Sequence, residues 1–494
     1  MQDKPSSIDR ISSHNLMWFR SDLRITDNMA LSEVCNQSLP VIALYIATPM
    51  QWHQHHVAPI QVDLIKRRLA VLTEQLAELS IPLIVLETED FDSTVEKIEE
   101  ICLMFNIASV HCNNQYLVNE EQRDQKLAAN LKRYQISLVQ YDDDCALAPG
   151  SVLNKQGEPF KVFTPYSKAW LKQYKQQTVE PTAMVGNTHK ELSQEIEELL
   201  AVCGTVQHYD FQYPQVSSLT WPVDDEVILQ HLYSFCCDKV GVYHQQRDYP
   251  SLEGTSTLSP YLAIGALSVR QCLKAVQQVD PSCLEINKEC GGFVWVNELI
   301  WREFYHHLMA EYKHLCKGQP FQAYTQYVTW NEDSHYLKAW QQGKTGFPIV
   351  DAAMRQLQQT GWMHNRLRMI TASFLTKDLL LHWHHGERWF LQHLIDGDFA
   401  SNNGGWQWAA STGTDAQPYF RVFNPTTQGE RFDPEGEFIR KWIPELVDVP
   451  NKYIHTPHLW HGDKKGYPAP IIDHKQARLR SIEVFKNAKE INTL

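Results

Sequence analysis

From Leu16 to about Asp144, short apolar runs alternate with longer amphipathic stretches, and the two have different periods. The runs LMWF, VIALYIA, PLIVLE, SVHCNNQY and ISLVQY are short and rich in β-branched or aromatic residues, as strands require. Between them, VDLIKRRLAVLTEQLAEL and EEQRDQKLAANLKRY repeat their apolar residues at the helical period. Parallel strands need a long crossover and a helix supplies it, so the alternation predicts βαβ units and a doubly wound, Rossmann-like parallel sheet.

The pattern weakens between about Cys145 and Pro222 into polar, proline-containing sequence with an acidic helical piece at ELSQEIEELL. Beyond it the periodicity is almost wholly helical, and 12 of the 15 tryptophans lie after residue 220, which predicts an all-α body lined with indoles. The expected organisation is a polar extension over 1–13, an α/β domain over 14–145, and an inter-domain connector over 146–222. A helical domain over 223–480 and a C-terminal tail over 481–494 complete it.

Composition narrows the class. With 494 residues, 43% of them hydrophobic, the chain can fill more than one ordinary core. No apolar run approaches the ~20 residues that cross a bilayer, and the opening MQDKPSSIDR lacks a signal peptide's apolar stretch. The 11 cysteines show no repeating pair spacing, and adjacent Cys236 and Cys237 do not form a metal knuckle. Reduced thiols in the cytoplasm, with no membrane association, are expected. A net charge of −13 excludes bulk electrostatic coating of nucleic acid, so a DNA site must be local. The segment 344–377, with Lys344, Arg355, Arg366, Arg368 and Lys377 against Asp351, is either such a patch or a solvated helix face.

Several motifs fail. GKT at 343–345 lacks the upstream glycine of a phosphate loop, and no GxGxxG follows the first strand. The histidine run HWHH at 382–385 has no matching ligands at metal spacing, so no metal is expected.

The densest chemistry is DGDFASNNGGWQWAASTGTDAQPYFRVFNP, 396–425. Small residues admit a planar ligand to the backbone, asparagine donates and accepts, and indoles stack or carry electrons. A glycine-rich turn between two aromatic helices is the plain alternative. Together with WFRSDLRITDNMAL, EGTSTLSPYLAIGALS, NELIWREFYHHL and GWMHNRLRMITASFL, this segment resembles the class I photolyases of the cryptochrome/photolyase family, from about Leu16 to beyond Arg440.

The resemblance implies a C-terminal helical domain holding a bent FAD, reduced and anionic when active. Tyr243 with Thr255, Ser256, Thr257, Leu258 and Ser259 would grip its phosphates and ribityl chain, although TST before a helix also reads as simple N-capping. Thr257 departs from the larger or basic residue of some relatives. Trp295, Arg302, Arg368, Asp396, Gly397 and Asp398 complete the flavin set, with Arg368 and Asp396 otherwise an ordinary buried ion pair. Asn402 takes the position facing flavin N5, where plant-type cryptochromes tend to carry Asp and insect-type ones Cys.

By the same resemblance Trp406, Trp383 and Trp330 would relay electrons to the surface. Glu298 would meet the lesion's carbonyl edge, between Trp301 and Trp408 as apolar walls, while Arg247, Arg302 and Arg366 would contact DNA phosphates. Asn365 and Met369 stand where enzymes specific for the (6-4) photoproduct carry histidines, which points to cyclobutane pyrimidine dimers. The implied cycle is dark binding of a flipped dimer in UV-damaged DNA, electron donation from excited reduced FAD, ring splitting and electron return, by a monomer acting as a carbon-carbon lyase. His55, Asn119, Glu120, Cys316 and Lys317 match positions that bind a methenyltetrahydrofolate antenna, although NEEQRD is also an ordinary helix start. The rivals are a cryptochrome photoreceptor, disfavoured by Asn402 and by a chain too short beyond the helical domain for a signalling tail, and a (6-4) or single-strand repair enzyme, disfavoured by Asn365, Met369 and Trp408.

Overall fold

The computed structural model describes residues 14–177, 179–183 and 211–492. The expected polar extension over 1–13 and the acidic helical piece ELSQEIEELL lie outside the described residues.

Five parallel strands, β1 (His14–Phe19), β2 (Val41–Ala47), β3 (Leu83–Glu87), β4 (Ile107–Asn113) and β5 (Ser137–Tyr141), form one sheet in the order β3-β2-β1-β4-β5. All five correspond to predicted runs. The helices among them are α1 (Met29–Cys35), α2 (Pro49–Gln54), α3 (Pro59–Glu78), α4 (Phe91–Met104) and α5 (Val118–Leu131). Side chains alternate across a strand, so β1 feeds two cores. Leu16 and Trp18 join Ile42, Leu44, Ile98 and Leu127 on one face, while Met17 and Phe19 join Ala43, Tyr45, Leu69 and Leu72 on the other.

That second core does not stop at the expected domain boundary. It runs on through α6 (Phe163–Gln176), α7 (Asp225–Asp238), α8 (Tyr243–Gln246), α9 (Ser259–Ala263), α10 (Val269–Val279) and α11 (Gly291–Glu311). The connector is therefore partly structural: α6 buries Phe163, Tyr166, Trp170 and Tyr174. A separate core belongs to α12 (Ser334–Gln341), α13 (Pro348–Thr360), α14 (Asn365–Ser373), α15 (Trp383–Leu391), α16 (Phe399–Ala410), α17 (Pro425–Phe432) and α18 (Glu437–Trp442). The segment expected as a tail from 481 is mostly helix, the greater part of α19 (His474–Ile491). Its Phe485 is fully buried, because an apolar face on one side of the helix has a core to cover.

The helical half thus contains two bodies, and the segment 344–377 does not make one basic surface. Lys377 is fully buried, with Nζ donating to the Ala410 carbonyl, and burial holds its amine well below the ordinary value. Arg355 pairs with Glu445, and Arg368 with Asp396.

Candidate functional site

The seam between the two helical bodies is set by close approaches that only glycine permits. A Cβ on Gly404 of α16 would lie 2.1 Å from the ring of Tyr305 on α11 across the seam, and within the second body one on Gly386 of α15 would lie 2.0 Å from the indole of Trp406. The helices therefore meet ring against backbone, and the predicted flavin residues gather along the junction.

Ser259 Oγ donates to Asp396 Oδ2 at 2.6 Å, and Arg368 reaches the same oxygen at 2.7 Å while its Nε donates to the Met363 carbonyl. The other oxygen, Asp396 Oδ1, is buried with no partner in the protein. A buried carboxylate oxygen without a donor is costly, so this one fits a ligand N–H. Gly397 sends its carbonyl to Gln61 of α3. Asp398 caps α16, accepting from Ser401 N–H at 2.7 Å. Burial raises its pKa, but the neighbouring His306 and Arg302 outweigh that and hold it below the ordinary range. Asn402 donates its amide to the Glu387 carbonyl at 3.0 Å. Burial pushes the Glu387 carboxyl up to about 7, against a hydrogen bond from Asn403. Trp295 is core, packed at 5.1 Å from Phe235. Tyr243 is buried next to Arg247, and the loop carrying Thr255, Ser256, Thr257 and Leu258 leads into α9.

On the neighbouring, more open face, Arg247 pairs with Glu298 from α11, and Asp248 pairs with Arg366 from α14 at 2.8 Å. Burial raises the Glu298 pKa, opposed by the charge of Arg247. Met369 sulfur lies 3.7 Å from Arg366, and Asn365 is exposed at the first turn of α14. Trp301 on α11 and Trp408 on α16 come from the two different bodies, and Trp301 is stacked at 3.5 Å on Phe163.

Arg302 does not join this face. Its guanidinium holds the Asp144 carboxylate at 2.8 Å and the Asp144 carbonyl at 3.0 Å, on the side facing the α/β domain. One helix turn beyond Glu298, it is claimed by an acid the sequence did not point to.

For the tryptophans, Trp406 lies over Gly386, about one turn along α15 from Trp383. Trp383 and Trp330 are joined through the ring of His382, at 5.8 and 5.2 Å. Sequence reasoning weighed His382 only as a metal ligand, and it missed Trp340, which meets Trp406 edge-on at 6.1 Å. It also missed Asp248 and Phe163. Asp248 was signalled by its place beside Arg247, whereas Phe163 lay hidden in a segment read as connector.

A cavity of about 620 Å³ opens between the α/β domain and α11, reaching the ends of β1 and β4 where the strand order reverses, the usual ligand crevice of such sheets. His55, Asn119, Glu120 and Cys316 line it, and Lys317 is exposed and does not. Asn119 and Gln51 meet His55 Nε2 at 3.0 and 2.7 Å, and Glu120 Oε2 is buried without a partner. Arg302, His306, Asp144 and Asp398 line the same space.

Residues 15–184 match the family model described as DNA photolyase, and 295–487 match the FAD binding domain of DNA photolyase. The deoxyribodipyrimidine photo-lyase of Vibrio cholerae is 49% identical over 475 residues, 96% of this chain and 99% of that one. The chain belongs to the DNA photolyase family. The corresponding Escherichia coli protein is also 49% identical, over 96% of this chain and 99% of its own. Among solved structures, a bacterial class III photolyase from Agrobacterium tumefaciens superposes with TM-score 0.79 at 29% identity, covering 99% of this chain and 100% of its own. A Synechocystis cryptochrome reaches 0.81 at 25%, covering 96% and 99%. An archaeal photolyase from Sulfolobus tokodaii, described with two FAD molecules that imply a novel light-harvesting cofactor, gives 0.77 at 28%, covering 96% and 100%. In this photolyase-family chain the FAD-binding match spans α11 through α19, which carry Asp396, Arg368 and Asn402.

Proposed function

We propose that the chain is a deoxyribodipyrimidine photo-lyase that splits cyclobutane pyrimidine dimers in DNA with blue light. The observation that carries this reading is the 49% identity along 96% of the chain to curated enzymes of that name. The fold alone does not choose, since a cryptochrome shares it.

Reduced FAD, when bound, supplies the light-driven electron that opens the cyclobutane ring. Asp396 Oδ1 would accept an N–H of the flavin, its partner oxygen already held by Ser259 and Arg368. Asn402, anchored on Glu387, would be the residue that faces the flavin. Tyr243 and the 255–259 loop hold the phosphates and ribityl chain. Arg302 takes no direct part, because its charge is committed to Asp144.

Glu298 meets the carbonyl edge of the flipped dimer, between Trp301 and Trp408. Burial raises its pKa, against the charge of Arg247, at the place where negative charge develops on the pyrimidine. Arg247 and Arg366 exchange their carboxylate partners for DNA phosphates on binding. Asn365 and Met369 offer no proton shuttle, which fits ring splitting by an electron alone. Trp330, Trp383 and Trp406 connect the surface to the interior for electron supply, with His382 packed between the outer two. The inter-domain cavity takes methenyltetrahydrofolate, with Asn119 and the unpartnered Glu120 oxygen receiving the pterin's donor edge. The reading carries with it a cytoplasmic monomer.

The test is repair of duplex DNA bearing one thymine cyclobutane dimer or one (6-4) product, with reduced protein, in light and in darkness. Light-dependent loss of the cyclobutane dimer alone is expected. Loss of the (6-4) product overturns the roles of Asn365 and Met369, and no repair by FAD-loaded protein moves the chain to the cryptochromes. The absorbance of the second chromophore released on denaturation separates a folate from a second flavin.

A further inference from the structure

Thr257 has a φ of +49°, in the left-handed region that a β-branched side chain enters only under constraint. The next residue, Leu258, is right-handed at φ −89° and ψ −6°. Successive residues of opposite hand turn neighbouring backbone N–H groups toward one point and form an anion-binding nest. The strain at Thr257 therefore shapes a concavity suited to a phosphate.

The turn is held on three sides. Behind it, a Cβ on Gly254 would come within 2.8 Å of the Gln246 side chain, so the start of the loop is pressed against α8. Ahead of it, Ser259 is tied to Asp396. At the strained residue itself the contact is His231, exposed on α7: its Nε2 lies 2.8 Å from the Ser256 carbonyl oxygen and 3.2 Å from Thr257 Oγ1. A carbonyl oxygen only accepts, so Nε2 carries its hydrogen and donates to Ser256, with the Thr257 oxygen sharing that hydrogen. The Thr257 hydroxyl hydrogen is then free to point at a ligand. Among the described residues, no other side chain hydrogen-bonds Thr257.

We propose that His231 is a positioning residue for the flavin: from α7 it holds the Ser256–Thr257 turn in its strained form, keeping the nest and the Thr257 hydroxyl aimed at the diphosphate. This rests on the reading that the 255–259 loop grips the FAD phosphates. It assigns a cofactor-holding task to a surface histidine that itself need not touch the cofactor.

The experiment follows the release of FAD from diluted holoprotein by flavin fluorescence, in the dark and without DNA. His231→Ala is expected to speed release about tenfold, the scale of one strained residue set free. Glycine adopts the left-handed region without strain, so in a Thr257→Gly background the same His231→Ala change is expected to alter release less than about twofold. The thermal midpoint of the apoprotein should be unchanged by His231→Ala, since the side chain is exposed. Equal acceleration in both backgrounds, or none in either, overturns the proposal. Ser259→Ala tests the loop reading separately. If it speeds release while His231→Ala does not, only the role of His231 falls; if Ser259→Ala leaves release unchanged, the loop assignment falls and the role of His231 with it.

Discussion

Two seams run through this molecule, and they handle buried charge in opposite ways. Where the α/β domain meets the first helical body, away from the cavity that Glu120 lines, the buried charges are answered. Asp27, fully buried, accepts from Arg270, Ser268 and the Thr182 N–H, and Asp143 takes Arg24 and Arg270. Where the two helical bodies meet, a charged atom is left over: Asp396 Oδ1 is buried without a partner. A buried ion pair stripped of one member is expensive, so the first seam behaves as a lock, while the second is incomplete until a ligand arrives.

The most severe way to break the contrast is to unlock the first seam. Asp27→Ala leaves the buried Arg270 and Arg24 to share Asp143 alone and is expected to cost about 3 kcal/mol in denaturant unfolding. A neutral result would mean that the seam is held by its apolar core alone.

His306 belongs to the same seam and gives it a pH dependence. Burial lowers its pKa, yet Asp144 and Asp398 outweigh that and raise it from 6.5 to about 9. The folded state then keeps a proton that the unfolded chain releases near 6.5. Its contribution is fully present below about pH 6.5 and is lost as the pH rises through about 9. Wild type is expected to lose on the order of 3 kcal/mol more than His306→Gln over that window, measured by urea unfolding. Parallel curves would remove His306 from the lock.

At the second seam, Asp396→Asn keeps the shape but weakens the charged acceptor. FAD affinity should fall by about 2 kcal/mol, roughly thirtyfold, with little change in apoprotein stability. A loss of apoprotein stability instead would make Asp396 part of a lock like Asp27. The smallest effect is expected at Lys317, exposed and outside the cavity: Lys317→Ala should leave antenna content unchanged, whereas Glu120→Gln, at a buried unpartnered oxygen, should lower it.

Local pattern made much of this legible. The five strands follow from apolar runs whose residues face two cores at once, and periodicity carries α3 and α5. Motif order placed Arg368, Asp396 and Ser259 in one cluster and Glu298 near Arg247, because each sits at a fixed step on a helix or its cap. Arg302 and Glu298 face different ways for a reason their spacing does not carry. Helical spacing puts both on α11, but only the partner across the gap decides which way a long side chain is drawn, and Asp144 lies far away in sequence.

The sequence by itself therefore determined the class of the fold, the family and the kinds of residue available for chemistry, since these depend on near-neighbour periodicity and on contiguous motifs. Tertiary structure decided what joins distant segments: one core running across the expected domain boundary, α6 covering Trp301, α19 burying Phe485, and His231 bracing Thr257. No period along the chain encodes such meetings, because each is fixed by the packing of whole elements against one another.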